Sequence, residues 1–357
     1  MTALRFHWRL PPGGERPDVW FPSAADPEKM ALPDIEARVE FCRLAEQSGI
    51  DSTLTMFGYN APDPMLLATA LALRTERLTF MVAYRPGLIS PTLFVQQVNT
   101  FSALTQGRIS LNIVAGHSQK EQGYYGDFLA HDERYARAEE FLSVTRALWR
   151  RNGGGCSLDG KYYKIADGQV STPFVSAERG SPEIFVGGSS PQAQQLALRY
   201  GTCWLLLGDA PEAIREQVKT ARAGGVEVGM RFSIIVRPTR EEAVRAAYEM
   251  VRGADTSFVE RRFAQGGDSV SMRAMLARPR DEEGAWLTPY LWKGAVASHG
   301  VSAVALVGGP SEIASALLEY KSLGVSQFIL SGWPNTETLA TFSREVLPLV
   351  RKGERRG

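Results

Sequence analysis

Apolar runs of strand length alternate with amphipathic helical stretches along almost the whole chain, and this alternation constrains the fold more than any other feature. Strand-like runs lie at residues 4–10, 51–57, 78–84, 109–114, 183–186, 202–207, 229–237 and 325–330. Helical patterns lie at 34–47, 63–74, 91–104, 133–151, 192–200, 211–223, 239–252, 311–322 and 336–350. Strand then helix, repeated, means a parallel sheet whose crossovers are the helices. Eight such units in one chain of 357 residues favour a closed (β/α)8 TIM barrel over an open doubly wound sheet.

Additions follow strand 4 and strand 7. After strand 4, residues 117–132 are irregular and 157–165 alternate around Asp159-Gly160, a hairpin signal. After strand 7, residues 253–288 are charged and Gly-rich, and Trp286 to Ala297 reads as helix. The loop 11–33, which carries Trp20 and Phe21, is long enough to be a functional segment. The expected organisation is a single domain over residues 1–357.

The net charge of +1 gives no electrostatic case for nucleic acid or an anionic membrane. Cys42, Cys156 and Cys203 have no paired spacing, as in free thiols of a reducing compartment. The start MTALRFHW lacks the basic and long apolar regions of a signal peptide, and no apolar run is long enough to span a bilayer. The chain reads as soluble and cytoplasmic.

Barrel sites are built at the C-terminal ends of strands. The stretch QGRISLNIVAGHS, residues 106–118, holds a helix stop, a buried strand and a small polar loop. Asn112 inside that strand is either tied to neighbouring backbone or pointed at a ligand, because a buried amide without a partner costs roughly 1–3 kcal/mol. Gly187-Gly188-Ser189-Ser190, between a strand and a helix, is either a capped tight turn or a phosphate cradle. Arg231 lies inside the seventh strand; a barrel has no edge to expose it, so it faces the mouth and can bind an anion. Arg85 is either a surface charge or a site residue. Trp20, Tyr59, Tyr84 and Trp333 stand where they would ring the mouth with aromatics. His7, His117, His131 and His299 show no close metal-ligand spacing, so no metal is expected. GxGxxG after strand 1, GxxxxGK[ST] and GxSxG are all absent, which argues against a Rossmann site, a P-loop and a nucleophile elbow.

Taken together, RFHWRLP, FMVAYRPGLISPT, QGRISLNIVAGHS, HDERYARAEEF, FVGGSSPQAQQLA, RFSIIVRPT, ALVGGPSEIA and FILSGWP place nearly the whole chain in resemblance to a known family. The chain resembles the bacterial luciferase-like flavin-dependent monooxygenases, and within them the alkanesulfonate monooxygenase branch. The resemblance implies reduced FMN (FMNH2) supplied by a separate NAD(P)H-dependent flavin reductase. It implies one oxygen atom of O2 passed to a small organic substrate through a flavin (hydro)peroxide. It implies FMN phosphate on Tyr135, Gly188, Ser189 and Ser190, and the isoalloxazine near Ala83, Tyr84 and Asn112. A non-prolyl cis peptide near Ala83–Tyr84, a mobile lid at 253–288 and a homodimer or higher homo-oligomer complete the implied picture.

Departures from the sulfonate enzymes matter as much. Those enzymes keep the arginine at Arg231. They carry histidine at the place of Ser233, cysteine at Ala61, tryptophan at Leu207, tyrosine at Trp333 and arginine at His299. Most of the polar sulfonate set is thus missing, and a substrate other than a simple alkanesulfonate is expected. Arg231, His7 and His299 are the catalytic candidates, with Tyr59, Leu207, Ser233 and Trp333 lining the substrate pocket. The alternatives are an F420-dependent oxidoreductase, an alkanesulfonate monooxygenase proper, and a non-catalytic flavin-binding barrel.

Overall fold

The computed structural model describes residues 3–11, 34–59, 61–116, 118–150, 155–278 and 284–355. Trp20, His117 and most of the loop 11–33 lie outside these residues. The strands in chain order are β1 (Arg5–Arg9), β2 (Ser52–Thr55), β3 (Thr79–Tyr84), β4 (Ile109–Ile113), β5 (Cys156–Asp159), β6 (Lys164–Gly168), β7 (Glu183–Gly187), β8 (Cys203–Leu207), β9 (Glu227–Val236), β10 (Trp286–Thr288), β11 (Leu291–Trp292), β12 (Ala305–Gly308) and β13 (Gln327–Gly332). Eight of them, β1, β2, β3, β4, β7, β8, β9 and β13, pair in parallel in that order, and β13 pairs back to β1. The result is the closed (β/α)8 TIM barrel expected from the alternation.

The helices are α1 (Ile35–Gln47), α2 (Pro64–Ala72), α3 (Pro91–Thr105), α4 (Gln119–Tyr124), α5 (His131–Arg150), α6 (Pro191–Tyr200), α7 (Pro211–Ala223), α8 (Arg240–Val251), α9 (Phe258–Ala264), α10 (Val270–Leu276), α11 (Val296–His299), α12 (Pro310–Leu323), α13 (Asn335–Thr341) and α14 (Leu347–Glu354). Their ends follow local chemistry. Ser90 caps α3 through the Leu93 amide, Pro91 starts it, and Gln106 and Gly107 at positive φ stop it. Thr239 and Glu242 form a capping box on α8.

Alternation along each strand sorts side chains to the two faces of the wall. Phe6 and Trp8 join the large outer core beneath the helices, together with Phe80, Phe94, Phe141 and Phe328. Leu54, Met81, Ala83, Phe185, Cys203, Leu205 and Ile329 fill the barrel interior. Below them the interior is polar. His7 is held between Ser52 Oγ and Gln327 Oε1, each at 2.7 Å. Arg5 then closes the N-terminal end by ion pairs to Glu183 and Glu227, both at 2.6 Å.

The barrel wall is not uniform. The first half of the ten-residue β9 pairs with β8, while its last residues, Ser233 to Val236, pair with β12. The sheet therefore branches above Leu207 into β12, β11 and β10. Two sequence expectations fail here. Residues 286–297 form an antiparallel hairpin and the short α11, not one helix, because Pro289 breaks a helix and Leu291 pairs with Leu306. The strand at 305–308 was not foreseen, since so short an apolar run before Gly308-Gly309-Pro310 carries no periodicity. The only cis peptide among the described residues is Trp333–Pro334; the Ala83–Tyr84 bond implied by the resemblance is trans. Between β4 and β7 the chain adds α4, α5 and the β5–β6 hairpin, whose turn closes from Gly160 N to Tyr163 O, around Lys161-Tyr162 rather than Asp159-Gly160.

Candidate active site

The mouth at the C-terminal ends of the strands has an apolar floor, given by Leu54, Met81, Ala83 and Ile329. Polar groups stand on two sides of it. On the β4–β7 side, the Asn112 side chain points inward; its Oδ1 is buried and has no hydrogen-bond partner. It lies 4.0 Å from where a Cβ on Gly187 would sit. Gly188 follows at φ +126, and a Cβ there would come within 2.8 Å of Ala193 Cβ and 3.1 Å of Tyr135 Oη. Glycine is thus required twice over, by backbone conformation and by space.

Ser190 caps α6 through the Ala193 amide at 3.1 Å. Tyr135, on α5, faces that serine; burial raises its phenol, and the Ser190 hydroxyl opposes the rise. Gly188 O accepts a hydrogen bond from Trp204 Nε1 at 2.7 Å, which fixes the loop. Tyr135, Gly188 and Ser190 therefore meet at the start of α6, with Ser189 exposed beside them, and the hydroxyl and helix N–H donors there suit a phosphate. An unpartnered carbonyl oxygen toward the mouth and a donor-lined cradle beside it fit the two ends of FMN.

Tyr84 differs from its expected place. Its ring stacks on Phe94 at 4.1 Å and on Phe141 at 5.6 Å, so it belongs to the outer core and not to the mouth. Only its backbone, with the small inward Ala83, borders the site. Arg85 is no surface charge: it is buried, pairs with Glu121 at 3.0 Å, and packs over Phe57. Tyr59 is nearly half exposed at the rim, edge-on to Tyr124.

On the β9–β13–β1 side stand Arg231, Ser233, Ser331 and Arg9. Burial pushes the Arg231 guanidinium down to about 10, so it stays charged at neutral pH. Ser233 Oγ donates to Ser302 O at 3.0 Å and lies 3.4 Å from Ser331 Oγ. His299 meets Trp333 edge-to-face at 5.0 Å and its Nδ1 lies 2.8 Å from Ser298 Oγ. Burial lowers the His299 imidazole. His7 sits a layer deeper than this group, both ring nitrogens engaged and Phe185 against its ring. Leu207 is half-buried at the end of β8. Arg9 went unnoticed in the sequence, although Arg5, His7 and Arg9 alternate on one strand face.

The segment after β9 lies against the start of α6 and against α5. Arg134, buried on α5, holds Asp268 while its other nitrogens donate to Ala115 O and Leu129 O. Ser271 Oγ on α10 is 2.6 Å from Ser189 Oγ, and Gln119 N donates to Gly266 O at 2.7 Å. Arg278 makes a bidentate pair with Asp209 after β8. No group of metal-ligating side chains occurs among the described residues, and no helix among them is long and apolar enough to cross a membrane.

Comparison with solved structures agrees with this architecture. A riboflavin lyase (RcaE), solved with modified FMN and riboflavin, is similar at a TM-score of 0.78 and 21% identity, over 99% of this chain and 92% of that one. EDTA monooxygenase (EmoA) from Chelativorans sp. BNC1 gives 0.78 and 20%, over 99% and 94%. An F420-dependent secondary alcohol dehydrogenase gives 0.66 and 16%, over 98% and 100%. At such identities the likeness is one of fold. The model of the luciferase-like monooxygenase family matches residues 16–327 of the sequence. With its barrel and that match over most of its length, the chain belongs to the luciferase-like monooxygenase family, and so to the flavin-dependent monooxygenases.

Proposed function

We propose that this protein is the oxygenase of a two-component system: it takes FMNH2 from a separate NAD(P)H-dependent flavin reductase and uses O2 to oxygenate a small organic substrate. The observation that carries the reading is the buried, unpartnered Asn112 Oδ1 beside the Tyr135–Gly188–Ser190 cradle. Tyr135, Ser189, Ser190 and the Gly188 backbone hold the phosphate; Asn112 accepts a hydrogen bond from a ring N–H; Ala83 leaves room for the ring. When bound, reduced FMN supplies the electrons that activate O2.

The protein's own part is binding, shielding and proton handling. The apolar floor and the segment 253–288, acting as a lid, keep bulk water out. Arg231 holds an acidic group of the substrate. Tyr59, Leu207, Ser233 and Trp333 line the pocket around it. His299, held neutral by burial, takes up and returns a proton at the mouth, while His7 orders the interior layer through Ser52 and Gln327. With Ser233 and Leu207 in place of more polar groups, a simple alkanesulfonate is not the favoured substrate. The working unit is a homodimer or higher homo-oligomer of single-domain chains in the cytoplasm.

The test is anaerobic titration with FMNH2 followed by stopped-flow mixing with oxygenated buffer. Tight binding, and a return to oxidised FMN slower than that of free flavin and faster when substrate is present, supports the reading. Return at the free-flavin rate, with binding of F420 instead, would move the assignment to hydride transfer on the same barrel.

A further inference from the structure

One carboxylate of the segment after β9 stands between the two ends of the site. Asp268 lies just before α10, and its Oδ2 pairs with Arg134 Nη2 at 2.5 Å. The same guanidinium donates through Nε to Ala115 O, just past the end of β4, at 2.9 Å. The aspartate is thus tied both to α5, where Tyr135 follows Arg134, and to the end of the strand that carries Asn112. Burial raises the Tyr135 phenol, and the Asp268 charge adds to the rise, as a carboxylate close to that ring must. From the same segment Ser271 Oγ reaches Ser189 Oγ at 2.6 Å, and Gly267 bridges to Ser118. Asp268 is therefore seated from α5, from the β4 loop and from the β7–α6 loop at once. Its second oxygen, Oδ1, is buried and has no hydrogen-bond partner among the described residues.

A buried carboxylate oxygen without a donor is costly, and an O–H group gives it a short, charge-assisted bond. A phosphate oxygen in that place would repel it. The group that suits Oδ1 is a neutral hydroxyl next to the phosphate, not the phosphate itself. The polyol chain of FMN, which joins ring to phosphate, carries such hydroxyls. Strand β4 is the neighbour of β7, so a chain running from the β7–α6 loop to Asn112 crosses the end of β4, where Arg134 holds Asp268. We infer that Asp268 is a flavin-binding residue whose Oδ1 accepts a hydrogen bond from a hydroxyl of the ribityl chain. The inference rests on the FMN reading of the site and extends that site to the segment after β9. It also gives Arg134 a part: its charge offsets that of Asp268, so that a carboxylate can stand beside an anionic phosphate.

The experiment compares FMN with the flavin that carries a plain pentyl phosphate on N10, which keeps ring and phosphate but has no chain hydroxyl. Both oxidised flavins are titrated by fluorescence quenching. FMN is expected to bind at least about tenfold tighter, as one charge-assisted hydrogen bond provides. Asp268→Ala should remove at least about fivefold of that preference, and Asp268→Asn, which keeps a carbonyl acceptor, should remove less. Freeing Arg134 or loosening the segment acts on both flavins alike and cancels in the ratio, so a merely structural aspartate would leave the ratio unmoved. Equal affinity of the parent protein for the two flavins overturns the inference. So does a smaller loss of preference in Asp268→Ala with the barrel melt intact; if that variant does not fold, an Asp268→Asn ratio equal to the parent's overturns it. Binding of neither flavin sinks the FMN assignment, and this inference with it.

Discussion

Asn112 and Arg231 stand on opposite walls of the mouth, and replacing each should have a separable effect. Asn112 keeps a buried carbonyl oxygen without a partner in the protein alone. Replacing both the cost and the function with an apolar group of similar size should show the trade directly. Asn112→Leu is expected to raise the unfolding free energy of the flavin-free protein, read from urea titration, by up to roughly 1–3 kcal/mol of recovered desolvation. It is also expected to weaken FMN binding at least about tenfold in a fluorescence titration. A variant that loses stability as well would mean that the oxygen has a structural partner. Arg231→Ala tests the opposite wall. A charge-assisted contact contributes roughly 1.5–3 kcal/mol, so substrate affinity should fall by about ten- to a hundredfold while FMN affinity holds. Equal loss of both would place Arg231 at the flavin. Of these two residues Arg231 was legible from its place inside a barrel strand. Asn112 was legible only as a choice between backbone tether and ligand contact, because a sequence does not say which buried polar atoms lack partners.

At the level of elements, the β7–α6 loop and the segment after β9 are coupled. Gly188→Ala forces a side chain into a positive φ and against Ala193, so it should destabilise the fold by about 1–3 kcal/mol and impair FMN binding together, measured by thermal melt and titration. The Arg134–Asp268 pair links α5 to the segment carrying α9 and α10. Removing the buried arginine leaves Leu129 O without its donor and Ala115 O with Gln122 Nε2 alone, whereas removing the half-buried aspartate releases only the segment. Asp268→Asn is therefore expected to speed hydrogen exchange over residues 258–276 and leave the barrel melt nearly unchanged; Arg134→Met should lower the melt itself. If the two variants exchange alike, the segment is not held by this pair. These elements also mark where sequence reading ran out. The helix stops, caps and the GGSS loop are local signals and were visible. The 286–292 hairpin and β12 are made by pairing between distant segments, which periodicity in so few residues does not record.

The whole barrel was legible because its alternation is a one-dimensional consequence of a three-dimensional repeat: each strand must bury an apolar outer face beneath the helices and each crossover helix one apolar face of its own. Its polar interior was not, because Arg5, His7, Glu183, Glu227 and Gln327 find one another only once the ring of strands closes. That closure makes the fold pH-sensitive in a definable window. Burial lowers the imidazoles of His7 and His299, the first against the opposing pull of Gln327. The unfolded chain then binds protons that the folded barrel does not, so stability is full above about pH 6.5 and falls as pH drops below it. Burial of Glu183 works the other way, but Arg5 and Arg179 beside it outweigh burial and lower its carboxyl, so its loss comes at more acid pH. Between about pH 6.5 and 5 the slope belongs to the histidines, at most about 1.4 kcal/mol per pH unit for each. His7→Gln, which can still hydrogen-bond within the Ser52–Gln327 layer, should reduce that slope in urea unfolding across the window while leaving the neutral-pH melt close to the parent's. An unchanged slope would mean that His7 is protonated in the folded barrel, and its place as a neutral layer residue would have to be given up.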